Sequence, residues 1–143
     1  LAFNPSALTI FFARIVRRVF PKFTQKAKLD VKGISHDPVV VEKYLADPLI
    51  HEKISARMFF EIYQAGNWAI ENTDKLKIPV LVQHGSGDLI TSHKASEEFA
   101  ENAVKNGKVA EFKEWEGLYH ELHNEIEKDK IFEFVSGWIE QKL

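Results

Sequence analysis

The residues best placed to do chemistry in this chain are Asp88 and His120. Asp88 closes the run IPVLVQHGSGD, in which a β-branched stretch from Ile78 to Val82 leads into a Gly-rich bend, and His120 follows the alternating run that begins at Val109. If both runs are strands of one parallel sheet, the loops at their carboxyl ends lie side by side at one rim, where open α/β sheets place their chemistry. There an imidazole can take the proton of a hydroxyl while a carboxylate holds its tautomer and offsets its developing charge. The acid precedes the histidine, as in relays of chain order Ser, Asp, His. No nucleophile accompanies them. The G-x-S-x-G elbow that would expose a serine hydroxyl occurs nowhere: Gly33-Ile34-Ser35 continues with His36-Asp37, and Ser86 lacks the required flanks.

Other residues imitate sites. His84-Gly85 resembles the start of an oxyanion loop, but its place at the end of a strand is that of a structural histidine. His120-Glu121-Leu122-His123 is spaced i, i+3, whereas the zinc helix H-E-x-x-H needs i, i+4, so no metal is expected there or with His93 or His84. His123 is expected to support its loop, and His51 to pack or hydrogen-bond. Gly85 and Gly87 are expected to let the backbone turn sharply before Asp88, and Gly117 before His120.

The elements that must position the pair are mostly legible. Asn4 and Pro5 open a helix with Leu8, Phe11, Phe12, Ile15, Val16 and Val19 at helical spacing, ended by Pro21. Lys22 to His36 shows no sustained period and reads as irregular chain. Asp37 and Pro38 start a short helix that breaks at Asp47 and Pro48, and a third helix follows from about Ser55, with Met58, Phe59, Ile62 and Tyr63 as apolar contacts. At Ile78 the helical spacing gives way to a strand buried on both faces. Ser92 begins another helix, with Ala95, Phe99, Ala103 and Val104 inward and Asn106-Gly107 as its stop. The second strand then leads to a last helix, from about Asn124 to Lys142, with Ile131, Val135, Trp138 and Ile139 on one side. The fold class is α/β. Two parallel strands leave one edge and an apolar face uncovered, so a further part of the sheet is expected from a preceding half of the same polypeptide or from a swapped copy.

At 143 residues, 45% apolar and 28% charged, the chain has the make-up of one globular domain. It has no cysteine, which fits a reducing compartment and an expected cytoplasmic location. The longest apolar stretch, Ala7 to Ala13, is interrupted by Thr9 and closed by Arg14, well short of the about 20 residues of a membrane span. The net charge of -2 hides an asymmetry: up to Val31, six basic residues (Arg14, Arg17, Arg18, Lys22, Lys26 and Lys28) face only Asp30. That segment is either a solvated helix face or a surface for peripheral contact with anionic lipid. Nucleic-acid binding is not expected, since the basic residues sit on one amphipathic helix with no base-stacking motif. The start at Leu1, without Met, suggests a fragment.

Beyond HGSGD and YHELHNE, the segment SHDPVVVEKYLADPLIHEKISARMFFE, Ser35 to Glu61, and the order of helical region, acid strand, histidine strand and final helix extend over nearly the whole chain. Together they resemble the cap-bearing α/β-hydrolases of the monoacylglycerol lipase and lysophospholipase branch. The resemblance implies that residues 1–76 form a helical cap and 77–143 the C-terminal part of the hydrolase core. It implies Asp88 as the triad acid, His120 as the general base, and a nucleophilic serine on an elbow before the cap, outside this chain. The substrate class implied is an acyl-ester lipid, a monoacylglycerol or lysophospholipid, with Leu8, Phe11, Phe12, Met58, Phe59 and Ile62 as candidates to line an acyl tunnel and its mouth. No cofactor is expected, and the isolated chain is expected to be inactive. Two alternatives stand beside this: a non-catalytic binding module of the same fold, and a relative of epoxide hydrolases and dehalogenases with an aspartate nucleophile.

Overall fold

A computed structural model describes residues 6–27 and 30–142. The expected cap residues Asn4 and Pro5, and Lys28 of the basic segment, lie outside the described residues. Helix α1 (Ala7–Val19) ends two residues before Pro21, which cannot continue it. It packs against α3 (Ala56–Glu71), whose Phe60 is buried beneath the guanidinium groups of Arg14 and Arg17, 5.7 and 4.8 Å from the ring centroid. Arg17 also reaches Glu61 Oε1 at 3.4 Å and Gln64 Oε1 at 3.2 Å, so part of the basic charge is spent inside the helix pair. Ser55 caps α3 by accepting the Met58 amide at 3.1 Å, and Asp37 caps α2 (Pro38–Ala46) through the Val39 amide at 2.9 Å.

The stretch from Lys22 to His36 is more ordered than its sequence suggests. Thr24–Lys26 forms β1, antiparallel to β2 (Lys53–Ser55), and Val31–Gly33 forms a 3-10 turn capped by Asp30. The pairing was not readable locally because TQK carries no apolar period, and its partner lies almost thirty positions away.

The core carries the parallel pair β3 (Val80–Gly85) and β4 (Ala110–Trp115), in register from Val80 opposite Ala110 to Gly85 opposite Trp115. β3 begins two residues after the expected start: Ile78 is 70% exposed, and Pro79 has no amide to give to a ladder. Between the strands runs α4 (His93–Lys105), capped by Ser92 and stopped at Gly107, whose φ of 72° is the left-handed turn that glycine tolerates. Ala100 and Ala103 are its buried face, whereas Val104, expected inward, is exposed. α5 (Lys128–Glu140) starts four residues later than the periodicity suggests. A 3-10 turn at Leu122–Asn124 and an extended Glu125 precede it, because the Glu125 side chain is turned inward instead of following a helix. Ile131 is the buried contact of α5, and Ile139, expected beside it, is exposed. Among the described residues β3 pairs only with β4, so its other edge is open, and Val80 to Gln83 are half-buried instead of covered on both faces. No helix among the described residues is long and apolar enough to cross a membrane.

Candidate active site

Parallel pairing brings the ends of β3 and β4 to the same rim, and the loops leaving them interlock. Ser86 donates its amide to Trp115 O at 3.0 Å and Gly87 to Leu118 O at 3.0 Å, while Gly117 donates to Ser86 Oγ at 2.8 Å. Ser86 is thus a loop fastener. The two backbones come so close that a Cβ on Gly85 would stand 2.2 Å from Leu118 O, and one on Gly87 would stand 2.6 Å from Gly117 O. Neither glycine has a positive φ, so close approach, not the sharp turn expected from sequence, is what demands glycine there. Gly117, at φ 73°, does make the left-handed turn ahead of His120.

This interlock delivers Asp88 to His120. Asp88 Oδ1 accepts the amides of Ile90 at 2.6 Å and Thr91 at 3.1 Å, the Asx-type capping that such a bend favours. Oδ2 is left for the Thr91 hydroxyl at 2.6 Å and for His120 Nδ1 at 2.9 Å. The carboxylate therefore both shapes its loop and orients the imidazole. Its side chain is only 2% exposed, and burial by itself would raise its pKa. Hydrogen bonds from Thr91, His120 and the Ile90 and Thr91 amides outweigh that and bring it down to about 2, so the group is ionised throughout the neutral range. With Nδ1 engaged by Asp88, Nε2 is the ring nitrogen that remains to exchange a proton with a nucleophile.

The histidine loop is held from beneath by Glu125, whose role has no local sequence signal. Glu125, 1% exposed, accepts the Tyr119 amide at 2.7 Å, the His36 amide at 3.0 Å and His36 Nδ1 at 2.9 Å. Burial pushes its pKa up, and these donors pull it below the usual carboxylate range. The His36 ring stacks on Tyr119 at 3.7 Å between centroids, and the amides of His120 and Glu121 donate to the carbonyls of Gly33 and Ile34 at 3.3 and 2.9 Å. The segment leading into α2 thereby forms one wall of the loop that carries His120. Nothing local to Glu125 signals this, since its partner His36 is 89 positions away. Thr91 did leave a signal: three residues after Asp88, it is within reach of that carboxylate.

The remaining candidates lie on other elements or turns. Leu8, Phe11 and Phe12 lie on α1 and Met58, Phe59 and Ile62 on α3; all but the half-buried Phe59 are exposed, and Phe11 meets Phe12 edge to face at 5.9 Å. His51 Nδ1 accepts the Lys53 amide at 3.3 Å, and His123 is exposed in its 3-10 turn. Among the described residues no three His, Asp or Glu side chains converge as a metal site.

The family described as serine aminopeptidase, S33, matches residues 2–127, most of the chain and both residues of the pair. This chain belongs to that family of α/β-hydrolases. Within the S33 family it is similar to a putative monoglyceride lipase of Schizosaccharomyces pombe, 30% identical over 128 residues, which are 87% of this chain and 33% of that protein. A monoacylglycerol lipase of Mycolicibacterium smegmatis is 28% identical over 139 residues, 96% of this chain and 49% of that protein. Among solved structures, the monoacylglycerol lipase of Paleococcus ferrophilus superposes with a TM-score of 0.86 at 25% identity, over 97% of this chain and 54% of the other. A soluble variant of the Saccharomyces cerevisiae monoglyceride lipase gives 0.78 at 23% identity, over 96% and 50%, a likeness of fold. The chain thus spans a third to a half of the length of these curated relatives. Its fold is α/β, a parallel strand pair with flanking helices after a helical region, and its neighbours among solved structures are α/β-hydrolase monoacylglycerol lipases.

Proposed function

We propose that this chain is the cap and C-terminal part of a serine carboxylic-ester hydrolase acting on monoacylglycerol or lysophospholipid esters, with the nucleophilic serine outside it. The observation that carries this reading is the 2.9 Å contact between Asp88 Oδ2 and His120 Nδ1, made by a buried carboxylate at the carboxyl ends of two parallel strands. The names of the relatives support the substrate class, and the open edge of β3 supports a missing partner for the sheet, supplied by a preceding half of the polypeptide.

His120 Nε2 takes the proton of that serine as its oxygen attacks the ester carbonyl, and Asp88 stabilises the imidazolium. His120 then returns the proton to the departing glycerol or glycerophosphoryl oxygen, leaving an acyl-enzyme. Water, deprotonated by the same nitrogen, releases the fatty acid. The apolar residues of α3 receive the acyl chain, and the exposed ones of α1 meet the lipid surface at the mouth. Each buried methylene contributes about 0.8 kcal/mol, so neighbouring chain lengths are poorly distinguished.

The experiment compares the complete polypeptide with the isolated 143 residues. The complete form should hydrolyse p-nitrophenyl butyrate and a monoacylglycerol and be labelled by a fluorophosphonate, with an aminoacyl anilide as the aminopeptidase control. The isolated chain should do neither. Fluorophosphonate-sensitive turnover by the isolated chain would place the nucleophile inside it and overturn the reading. An alanine or an aspartate at the elbow would instead favour the binding module or the aspartate-nucleophile enzyme.

A further inference from the structure

The relay described above uses Asp88 and His120 and leaves no part for His84, the penultimate residue of β3. Yet His84 is built into the same cluster. Its side chain is 9% exposed, and Nε2 lies 2.9 Å from Asp88 Oδ2, the oxygen that also holds His120, and 3.3 Å from Thr91 Oγ1. On the far side of the ring, Nδ1 lies 2.8 Å from Ser96 Oγ of α4. The other titratable groups facing it are His93 of α4, edge-on at 5.7 Å between centroids and itself 2.6 Å from Glu114 Oε2 of β4, and His120 across Asp88.

Burial lowers the pKa of His84, Asp88 opposing and His93 and His120 adding to the effect, so near neutral pH the ring is uncharged and carries one hydrogen. Its neighbours decide which nitrogen holds it. Ionised Asp88 can only accept, and the Thr91 hydroxyl already gives its single proton to Oδ2 at 2.6 Å. Nε2 therefore faces acceptors and must be the protonated nitrogen. The Ser96 hydroxyl is free to donate to Nδ1 and so locks that tautomer.

We propose that His84 is a positioning residue, whose Nε2–H lies against both Asp88 Oδ2 and Thr91 Oγ1, so that one carboxylate oxygen is flanked by two imidazoles, only one of which exchanges protons with substrate. A donor there fixes the rotation of the carboxylate and limits the negative charge that it presents to His120. Removing it leaves Asp88 more basic, and His120 holds its proton more tightly. The catalytic consequence rests on the hydrolase reading above; the tautomer and its effect on His120 do not.

The test is histidine-ring nitrogen and carbon NMR on the complete polypeptide, combined with pH profiles of ester hydrolysis. The wild-type protein should show His84 as the Nε2–H tautomer at pH 7. His84→Phe should raise the pKa of His120 by about half a unit, roughly threefold in proton affinity, and move the acid limb of kcat/KM by the same amount. His84→Gln, whose amide keeps a donor near Oδ2, should restore the wild-type titration. Should His84→Phe fail to fold, Ser96→Ala replaces it: freeing Nδ1 should populate the other tautomer and shift His120 in the same direction. An Nδ1–H tautomer in the wild-type protein would overturn the proposal. So would variants that lower Tm while His120 titrates as before, the signature of a purely structural residue. If the wild-type polypeptide takes no fluorophosphonate label, the hydrolase reading fails while the ring measurements still decide the part of His84.

Discussion

Asp88 illustrates how one side chain serves structure and chemistry at once. Oδ1 is committed to the amides of Ile90 and Thr91, and Oδ2 to the Thr91 hydroxyl and His120. Asp88→Asn keeps the shape but offers a nitrogen where His120 needs an acceptor, so on the proposed hydrolase reading kcat of the complete polypeptide should fall by about 10⁴-fold with KM little changed, as steady-state kinetics would show. The same residue should mark stability. Its pKa is 3.8 when unperturbed and about 2 in the folded chain, so its contribution is fully present above the unfolded value and is lost as pH falls from near 4 through the folded one. That contribution is about 2 kcal/mol for a side chain this buried. Urea unfolding at pH 5 and pH 3 should show a drop in stability that is smaller in Asp88→Asn.

At the scale of elements, the site depends on two loops and on the segment that leads into α2. Gly85→Ala would drive a Cβ to 2.2 Å from the Leu118 carbonyl oxygen, backbone that cannot step aside. We expect a loss of about 3 kcal/mol, at the upper end of overpacking effects. Gly66→Ala, inside α3 with nothing within 4 Å, should instead gain up to about 1 kcal/mol. Thermal unfolding of the pair separates close approach from mere glycine removal. Glu125→Ala would leave the part-buried amides of Tyr119 and His36 without their acceptor and free the wall behind His120, with an expected cost of about 2 kcal/mol. Its kinetic mark should be a fall in kcat, because the loop that carries the imidazole loses its anchor.

For the molecule as a whole, the uncovered surfaces matter most. Among the described residues the outer edge of β3 has no strand partner, and on the proposed reading hydrogen exchange at Val80 to Gly85 should slow sharply in the complete polypeptide. α1 exposes Leu8, Phe11 and Phe12 near Arg14 and Arg18 in sequence, a pattern that supports the proposed contact with anionic lipid. The doublet Phe11→Ser and Phe12→Ser should weaken co-sedimentation with phosphatidylserine-containing vesicles several-fold while hydrolysis of soluble p-nitrophenyl butyrate stays unchanged. Loss of both together would assign these rings to the acyl site instead of the surface.

The parts of this architecture that obey local rules were open to reading from the chain alone. Asp37, Ser55 and Ser92 cap helices because a side-chain oxygen two or three residues ahead of an orphan amide can reach it. Asp88 and His120 were recognisable because strand, bend and charged residue follow one another within a few positions, and parallel pairing then puts both bends at one rim. Tertiary structure decided what depends on contacts between distant positions. It paired β1 with β2, turned Glu125 inward and thereby delayed α5, and set His84 against the oxygen that His120 uses. It also showed that Gly85 and Gly87 answer to a neighbouring loop and not to their own dihedrals. A side chain's reach to its own neighbours is a property of sequence spacing, whereas the partner it meets across 89 positions exists only once the chain has closed on itself.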